Sequence, residues 1–264
     1  MKPFIKWAGG KRWLTADPTF SLPKFSGRYI EPFLGSGAVF FHTRPSDALL
    51  SDVNPRLIEV YLAVRDNWKQ VLQELKRMQR LHSKRFYYEE RMRKRTTPHT
   101  RAAQFLYLNR TCFNGLYREN LKGEFNVPIG TKDKVVFEDE DFAEISSVLS
   151  RASIRTSDFA TSIAEAVRGD LVFADPPYTT AHNMNGFIKY NQNIFSWQDQ
   201  VRLRDVLIEA VERGVKVVLT NADHDNIREL YRMYGEYRAI GRASVMAGNS
   251  VFRGKTTEAV YVFQ

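Results

Sequence analysis

The sequence contains very little cysteine and no long apolar run. Cys112 is its one cysteine among 264 residues, which excludes an internal disulfide and a zinc site built from several cysteines. No run of about 18 apolar residues is present that could cross a bilayer, and Met1 to Gly10 has no apolar segment of the kind found in secretory signals. We therefore expect a protein of a reducing, cytoplasmic compartment, without a membrane partner and without a bound metal.

The positive charge of the chain is concentrated in one segment. Between Lys76 and Lys122 there are 13 lysines and arginines but only three acidic residues, a local balance of +10, whereas the whole chain carries +9. Aromatic residues such as Tyr87 and Phe113 are interleaved with these cations. This combination favours a surface that binds nucleic acid. A solvated basic helix is the alternative.

Short apolar runs alternate with helical periodicity over most of the chain, and an apolar fraction of 43% is typical of a packed globular protein. Ser196 and Asp199 form a capping box before a helix that Gly214 ends. Continuously apolar strands separated by helices predict a parallel sheet covered on both faces. The predicted strands are 28–33, 48–51, 153–156, 171–174, 215–219 and 258–263. This alternation is lost between 66 and 149, which predicts an insertion.

The run Leu171 to Ala174 leads directly into Asp175-Pro176-Pro177-Tyr178. Proline has a fixed φ and no N–H, so the backbone after Asp175 is stiff and its carbonyl groups remain available as acceptors. Asp175 adds a second acceptor, and Tyr178 adds a flat aromatic face. Together these groups suit an exocyclic amine that is held by both hydrogens while its ring is stacked. The alternative is an ordinary turn at a strand end.

Two further motifs indicate a nucleoside cofactor. The turn Gly35-Ser36-Gly37 follows a predicted strand, and Asp52 ends the next one, where a carboxylate can accept hydrogen bonds from both ribose hydroxyls. This pair alone would also suit NAD. Near the start, Trp7 and Lys11 flank two glycines; Arg12 stands where a phosphate-binding loop requires serine or threonine, so this is not such a loop. A cation and an aromatic ring suit a cofactor with a carboxylate and a sulfonium.

These motifs occur in the order found in a known family. The segments that carry the resemblance are Phe4 to Lys11, Glu31 to Gly37, Ser51 to Asn54, Leu106 to Arg110, Phe113 to Arg118, Gly123 to Pro128 and Asp175 to Tyr178. Over nearly its whole length the chain resembles the Dam family (alpha type, D12 class) of DNA adenine-N6 methyltransferases. The resemblance implies a Rossmann-like α/β fold that binds S-adenosylmethionine, with a catalytic domain at 1–65 and 150–264. A mainly helical insert at 66–149 would recognise the DNA target.

The resemblance also implies roles for individual residues. The implied catalytic residues are Asp175, Pro176 and Tyr178. The implied cofactor-binding residues are Trp7, Lys11, Phe33, Gly35, Gly37, Asp52, Asp158 and Asp175. For Asp158 the alternative is a helix cap, because aspartate at a strand end commonly serves as one.

In the insert, the resemblance implies that Arg118 and Leu116 read the outer guanine of a GATC site and that Phe113 wedges into the duplex. Arg110 and Asn114 match positions that contact phosphates, and Asn120 and Pro128 complete the implied DNA-binding set. One departure concerns the residue after the turn at Gly130. Thr131 stands where relatives specific for GATC often have a basic residue, with Lys132 following.

The expected activity is therefore methyl transfer from S-adenosylmethionine to N6 of adenine in duplex DNA, within GATC, after the adenine flips out of the helix. Such an enzyme belongs either to a restriction–modification system or to the orphan methylases. We expect a monomer in solution that can bind DNA in more than one copy. Two alternatives are a methyltransferase that acts on RNA or on a protein amide, and an inactive nucleic-acid-binding protein.

Overall fold

The computed structural model describes residues 1–120, 123–179, 195–243 and 255–264. The chain divides into two compact units, which are described one at a time. The first unit comprises residues 1–17, 35–46 and 54–156, and the second comprises residues 18–34, 47–53 and 157–264.

The described residues form nine α-helices and seven strands. The helices are α1 (Arg12–Thr15), α2 (Ala38–Thr43), α3 (Pro55–Leu81), α4 (Lys84–Met92), α5 (Pro98–Thr111), α6 (Phe142–Leu149), α7 (Phe159–Ala164), α8 (Trp197–Glu212) and α9 (Asp225–Tyr231). The strands are β1 (Tyr29–Glu31), β2 (Ala48–Asp52), β3 (Ala152–Thr156), β4 (Leu171–Ala174), β5 (Lys216–Ala222), β6 (Glu236–Ala243) and β7 (Lys255–Phe263).

The second unit contains a sheet in which strands follow the order β2-β1-β4-β5-β7-β6. The strands from β2 to β5 are parallel, whereas β7 is antiparallel to both β5 and β6. From β1 the chain continues to β2 on one side and later to β4 on the other. The strand order therefore reverses at β1, and in open α/β sheets ligands bind at such a reversal, outside the carboxyl ends of the strands.

The strands of this sheet form because their side chains are buried on both faces. All four residues of β4 are buried, and Ile30, Val172 and Val217 belong to the core of the unit. Helix α8 covers the sheet and begins with the predicted capping box: Ser196 Oγ accepts from the Asp199 N–H at 3.1 Å, and the Asp199 carboxylate accepts from the Ser196 N–H at 2.9 Å. The predicted start of this helix is thus confirmed.

The first unit is mainly helical. Asn54 caps α3, and its Oδ1 accepts from the Leu57 N–H at 3.2 Å. The helix packs on α5 and α6 and has a kink at Asn67, where φ is −136°. The predicted domain boundary at residue 66 therefore lies beside a break in the helical geometry of α3.

The structure departs from the sequence-based expectations at the C-terminal side of the sheet. The strands predicted from apolar runs are present within a few residues of their expected ends. The expectation of a parallel sheet is wrong for β7, which lies antiparallel between β5 and β6. Strand β6 was not predicted, because its polar residues lie at the edge of the sheet and give no apolar run. None of the described helices is both long and apolar enough to span a bilayer.

Candidate active site and DNA-recognition elements

Three predicted site residues of the second unit lie at one edge of its sheet. Asp52 ends β2, Phe33 follows β1, and Asp175 follows β4 directly. Because these strands are parallel and adjacent, their carboxyl ends meet at the same edge. The backbone there is tied together as well, since the Leu34 N–H donates to the Ser51 carbonyl at 3.0 Å. The sheet thus places an aromatic ring and two carboxylates around the point where the strand order reverses.

The side chains of Asp175 and Tyr178 are each held by a hydrogen bond. Thr220 Oγ1 donates to Asp175 Oδ1 at 2.7 Å. The Tyr178 hydroxyl donates to Glu258 Oε2 at 2.5 Å. Burial, together with the negative charges of Asp175 and Glu258, raises the pKa of Tyr178 well above its usual value. The phenol of Tyr178 is therefore a neutral hydrogen-bond donor, and the bond from its hydroxyl to Glu258 fixes the orientation of the ring.

A series of hydrogen bonds between buried polar side chains supports the backbone of the segment Asp175 to Tyr178. Gln200 Nε2 donates to the Pro177 carbonyl at 3.4 Å, and Asn221 Nδ2 donates to Gln200 Oε1 at 3.0 Å. Thr179 Oγ1 donates to the Phe195 carbonyl at 2.7 Å. Gln200 and Asn221 are fully buried. One signal of this support is present in the sequence, because two polar residues, Thr220 and Asn221, follow the apolar run Val217 to Leu219.

Asp158 caps a helix, which was the alternative to its predicted contact with the cofactor. Its Oδ1 accepts from the Ala160 N–H at 2.9 Å, and both carboxylate oxygens bind Arg202, at 2.8 and 2.9 Å. The hydrogen bonds from Arg202 lower the pKa of Asp158. The guanidinium also lies 4.1 Å from the ring centroid of Phe159, which stacks on Phe33 at 5.3 Å. A contact between Asp158 and the cofactor stays a prediction.

In the first unit, Trp7 lies directly against the glycine turn. Gly35 has a φ of +46°, and a Cβ at this position would lie 2.8 Å from Trp7 Cδ1, so only glycine fits. Gly37, with a φ of +63°, precedes α2. Lys11 is buried, and its Nζ donates to the Gly9 carbonyl at 2.6 Å. The structure therefore joins the N-terminal motif to the glycine turn, two segments that are 24 or more residues apart in the sequence.

Tyr117 links Trp7 to the predicted DNA-reading segment. The rings of Trp7 and Tyr117 are stacked with centroids 5.6 Å apart, and Tyr117 stacks in turn on Phe105 at 4.6 Å. The Tyr117 hydroxyl donates to Glu119, which pairs with Arg56 at 3.3 Å. Tyr117 was not among the predicted site residues, because aromatic residues in a basic segment do not reveal which of them pack inward.

Arg118 and Asn120 lie in a hairpin. The Asn126 N–H donates to the Arg118 carbonyl at 3.1 Å, and the Asn120 N–H donates to the Glu124 carbonyl at 2.9 Å. Arg118 is exposed and its Nε donates to Asn126 Oδ1 at 2.9 Å. Asn120 Oδ1 accepts from the Glu124 N–H at 3.0 Å, so its side chain also stabilises the turn. The hairpin presents Arg118 to solvent. The role of Arg118 in reading bases stays a prediction.

Phe113 and Asn114 project at the end of α5. Phe113 is 53% exposed, which is unusual for so large an apolar side chain. Asn114 has a φ of +56°, in the left-handed region. The Phe113 N–H donates to the Pro128 carbonyl at 2.9 Å, which ties this turn to the segment beyond the hairpin. Leu116, next to this turn, is partly buried. The role of the exposed ring as a wedge in the duplex stays a prediction.

Cys112 lies beneath this turn. The thiol is buried and donates to the Leu116 carbonyl with an S···O distance of 3.3 Å. Burial raises the pKa of Cys112 to about 11. The thiol is therefore protonated at neutral pH and is not a nucleophile in the folded protein.

The structure argues against the predicted phosphate contact of Arg110. This residue is only 2% exposed. Its Nη1 and Nη2 form a forked ion pair with Glu140 at 2.9 and 2.6 Å, and they also donate to the carbonyl groups of Val135 and Phe4. These bonds join α5 to two other segments of the first unit. The guanidinium is therefore a buried structural group here, with no exposed face for DNA.

The basic segment is also less uniform than its composition indicates. Arg95 forms two hydrogen bonds, at 2.7 and 2.6 Å, with the fully buried carboxylate of Glu90. Arg93 also pairs with Glu90, at 3.5 Å. By contrast, Lys76, Lys84 and Lys94 are exposed. The exposed cations are available to a polyanion, whereas Arg95 stabilises the fold.

The fold and the edge residues define an α/β protein of the type that binds nucleoside cofactors, with an acidic and aromatic site after β4. A comparison of sequences identifies the family. The model for "D12 class N6 adenine-specific DNA methyltransferase" matches residues 7–245. The chain belongs to this family and is an adenine-specific DNA methyltransferase. The predicted family, fold class and enzyme activity are thereby confirmed.

Named relatives match nearly the whole chain. Type II methyltransferase M1.LlaDCHI of Lactococcus lactis is 36% identical over 98% of this chain and 94% of its own length. The DNA adenine methylase of Escherichia coli is 34% identical over 100% of this chain and 95% of its own length. Type II methyltransferase M.MjaIII of Methanocaldococcus jannaschii is 31% identical over 93% of both chains.

Proposed function

We propose that this enzyme transfers a methyl group from S-adenosylmethionine to N6 of an adenine within GATC in duplex DNA, after that adenine flips out of the helix. The observation that carries the proposal is the rigid Asp175-Pro176-Pro177-Tyr178 segment at the end of β4. Its acid is fixed by Thr220 and its phenol by Glu258. An adenine inside a duplex cannot reach such a site, so the base must leave the stack.

In the proposed reaction the protein positions the amino group of the adenine. Asp175 and the Pro176 carbonyl accept its two hydrogens while the ring stacks on Tyr178. These acceptors increase electron density on N6 and direct its lone pair. N6 forms a bond to the methyl carbon as the bond from that carbon to sulfur breaks, and the proton lost from N6 passes to Asp175 or to water. The rate gain comes mainly from orientation and from a fixed electrostatic environment.

The chemistry of the donor set fits the cofactor. Asp52 ends the strand next to β1, where its carboxylate can accept from both ribose hydroxyls. We propose that Phe33, Gly35, Gly37, Trp7 and Lys11 also take part in binding, because an aromatic face suits a sulfonium and an ammonium group suits the carboxylate of the amino acid part. When bound, the cofactor supplies an electrophilic methyl group.

The proposed target is GATC because the hairpin of the first unit presents Arg118 to solvent next to the turn at Asn120. We propose that Leu116 assists Arg118, that Phe113 enters the duplex, and that Asn114 and Pro128 contact the DNA nearby. Thr131 takes the place of a basic residue that relatives specific for GATC often have, and Lys132 is the nearest cation. We further propose that the enzyme acts as a monomer, in the cytoplasm, where genomic DNA of bacterial relatives is found.

Sequencing of DNA from cells that express the protein, with detection of modified adenine, tests this proposal. We expect modification at GATC with the wild type and none with Asp175→Ala, which removes an acceptor at a strand end without opening the core. Duplex DNA and RNA of the same sequence serve as parallel substrates in vitro. Modified adenines outside GATC, methylated RNA, or an Asp175→Ala variant that keeps a tenth of wild-type turnover would contradict the proposal.

A further inference from the structure

Two neighbouring strands hold the two reactive side chains of the proline segment. Thr220 on β5 donates to Asp175, and Glu258 on β7 accepts from Tyr178. Neither contact follows from the tetrapeptide itself, because the supporting residues lie 45 and 80 positions further along the chain. The segment therefore depends on the far side of the sheet for the orientation of its acid and its ring.

The register of the sheet sets the spacing of these two supports. In the antiparallel pair of β5 and β7, Thr220 lies opposite Val260 and Ala222 lies opposite Glu258. Side chains alternate between faces along a strand, so residues two apart share a face. Thr220 and Glu258 consequently project from the same face of the pair, as diagonal neighbours, and the backbone ladder keeps the distance between them constant.

The burial of Glu258 requires an explanation. It is 2% exposed, and its strand neighbours Ala259 and Val260 are buried and apolar. An apolar side chain would fit this environment without the desolvation cost that a buried carboxylate incurs. A buried acid beside a reactive segment is a candidate functional group. Its bond to Tyr178, at 2.5 Å, shows which group it acts on.

We infer that Glu258 is a positioning residue for methyl transfer: its carboxylate fixes the ring of Tyr178 so that the flipped adenine stacks with N6 directed at Asp175. The inference rests on the proposed stacking of adenine on Tyr178. Glu258 itself does not contact the base. Without the hydrogen bond the phenol ring can turn about its side-chain torsions, and the stacked base then spends less time in the reactive orientation.

Kinetics of a small set of variants tests the inference. Glu258→Gln keeps an oxygen acceptor at the same reach, so we expect kcat within about threefold of the wild type. Glu258→Ala and the shorter Glu258→Asp should lower kcat by about 10- to 100-fold, with an unchanged KM for S-adenosylmethionine. Tyr178→Phe removes the donor, and adding Glu258→Ala to it should cause little further loss, because both changes remove one interaction. Glu236→Ala, at a position 72% exposed on β6, is the matched control.

A second measurement reports the position of the target base by fluorescence. In a duplex with 2-aminopurine in place of the target adenine, fluorescence rises when the base leaves the stack and is quenched where it stacks on a ring. Glu258→Ala should give a higher final fluorescence than the wild type at unchanged DNA affinity. Unfolding curves establish that each variant is folded, and Glu258→Asp serves in place of the alanine variant if the latter is not.

Results that would contradict the role of Glu258 can be distinguished from results that would contradict base flipping. Full kcat in Glu258→Ala or Glu258→Asp, additive losses in the double variant, or a Glu258→Gln enzyme as slow as Glu258→Ala would each overturn the role of Glu258. Tyr178→Ala removes the quenching ring, so a Tyr178→Ala variant that binds DNA without any rise in 2-aminopurine fluorescence would instead refute base flipping. In that case the kinetic cycle between Tyr178 and Glu258 still decides whether the carboxylate acts through the phenol.

Discussion

At the scale of single residues, burial separates groups that a sequence pattern treats alike. Arg110 and Arg118 both lie in segments that resemble the DNA-contacting part of the family. Arg110 is buried against Glu140, whereas Arg118 is exposed on a hairpin. A buried guanidinium requires a paired acid, since an unpaired buried charge is strongly destabilising. The pairing partner lies 30 residues away in the chain, so the sequence alone gave no reason to distinguish the two arginines.

Asp52 should contribute to cofactor affinity through its carboxylate. We expect Asp52→Ala to weaken binding of S-adenosylmethionine by about 1.5–3 kcal/mol, the scale of hydrogen bonds to a charged group. Isothermal titration calorimetry measures this directly. Asp139→Ala, which removes a carboxylate that is 64% exposed in an ion pair with Lys2, is the control and should leave affinity unchanged. If Asp52→Ala binds as tightly as the wild type, the carboxylate has only a structural role.

Arg118 should determine the base at one position of the target. A guanidinium that forks onto guanine O6 and N7 contributes about 1–3 kcal/mol of discrimination against a wrong base. We expect Arg118→Ala to lose this preference while methylation of adenine persists, as measured by competition between GATC and duplexes altered at the first guanine.

Arg118→Lys separates base reading from a phosphate contact. Lysine keeps the charge but not the fork, so it should restore overall affinity and leave the preference for guanine low. A phosphate contact would behave differently: alanine would weaken all sequences equally, and lysine would restore binding without any change in preference.

At the scale of secondary-structure elements, apolar strands were predictable and their supports were not. The buried run of β4 and the capping box of α8 are local patterns, and both were found as expected. The chain from Asn221 through Gln200 to Pro177 joins three elements that are far apart in sequence. Such contacts arise only after the sheet has formed, so no local pattern encodes them.

The N-terminus of α7 gives a pH-dependent test at this scale. Asp158 caps the helix and binds Arg202, with both side chains more than 40% exposed, so solvent weakens the ion pair. We expect Asp158→Ala to lower the free energy of unfolding by about 1 kcal/mol at neutral pH, mostly through the lost cap. Asp158→Asn keeps a capping oxygen and should cost only a few tenths of a kcal/mol.

The sign of the pH effect follows from the lowered pKa of Asp158. A carboxyl group whose pKa is lower in the folded state stabilises the fold at pH values above its unfolded pKa of about 3.9. This stabilisation is lost as the pH falls through the folded pKa. The difference between Asp158→Asn and the wild type in urea denaturation should therefore shrink in acid. A difference that grows on acidification would contradict this assignment.

At the scale of the whole molecule, the excess positive charge belongs to one segment, and its exposed members should set the salt dependence of DNA binding. We expect the combined change of Lys76, Lys84 and Lys94 to Ala to weaken binding of all DNA sequences alike. It should also flatten the plot of log affinity against log salt by about 0.9 for each phosphate contact removed. Arg93 and Arg95 are left in place, because both pair with buried Glu90 and support the fold.

A triple variant outside the segment is the control for this measurement. Arg151, Arg232 and Arg238 are exposed cations of the same number and sign. Their replacement by Ala changes the net charge by the same amount. A difference in salt slope between the two triple variants is therefore due to the position of the removed charges and not to their number. Equal slopes for both would show that the segment between Lys76 and Lys122 does not face the DNA.

The single buried thiol beneath the exposed Phe113 provides a measure of local opening. A reagent that modifies thiolates cannot react with Cys112 while the thiol is covered and protonated. Each labelling event therefore requires that the turn between α5 and the hairpin first detach from the segment at Pro128. Because this sequence has one cysteine, the rate of its modification reports the frequency of that detachment at one known place. Labelling of this thiol therefore measures how often the turn at Phe113 opens, in the absence and in the presence of DNA.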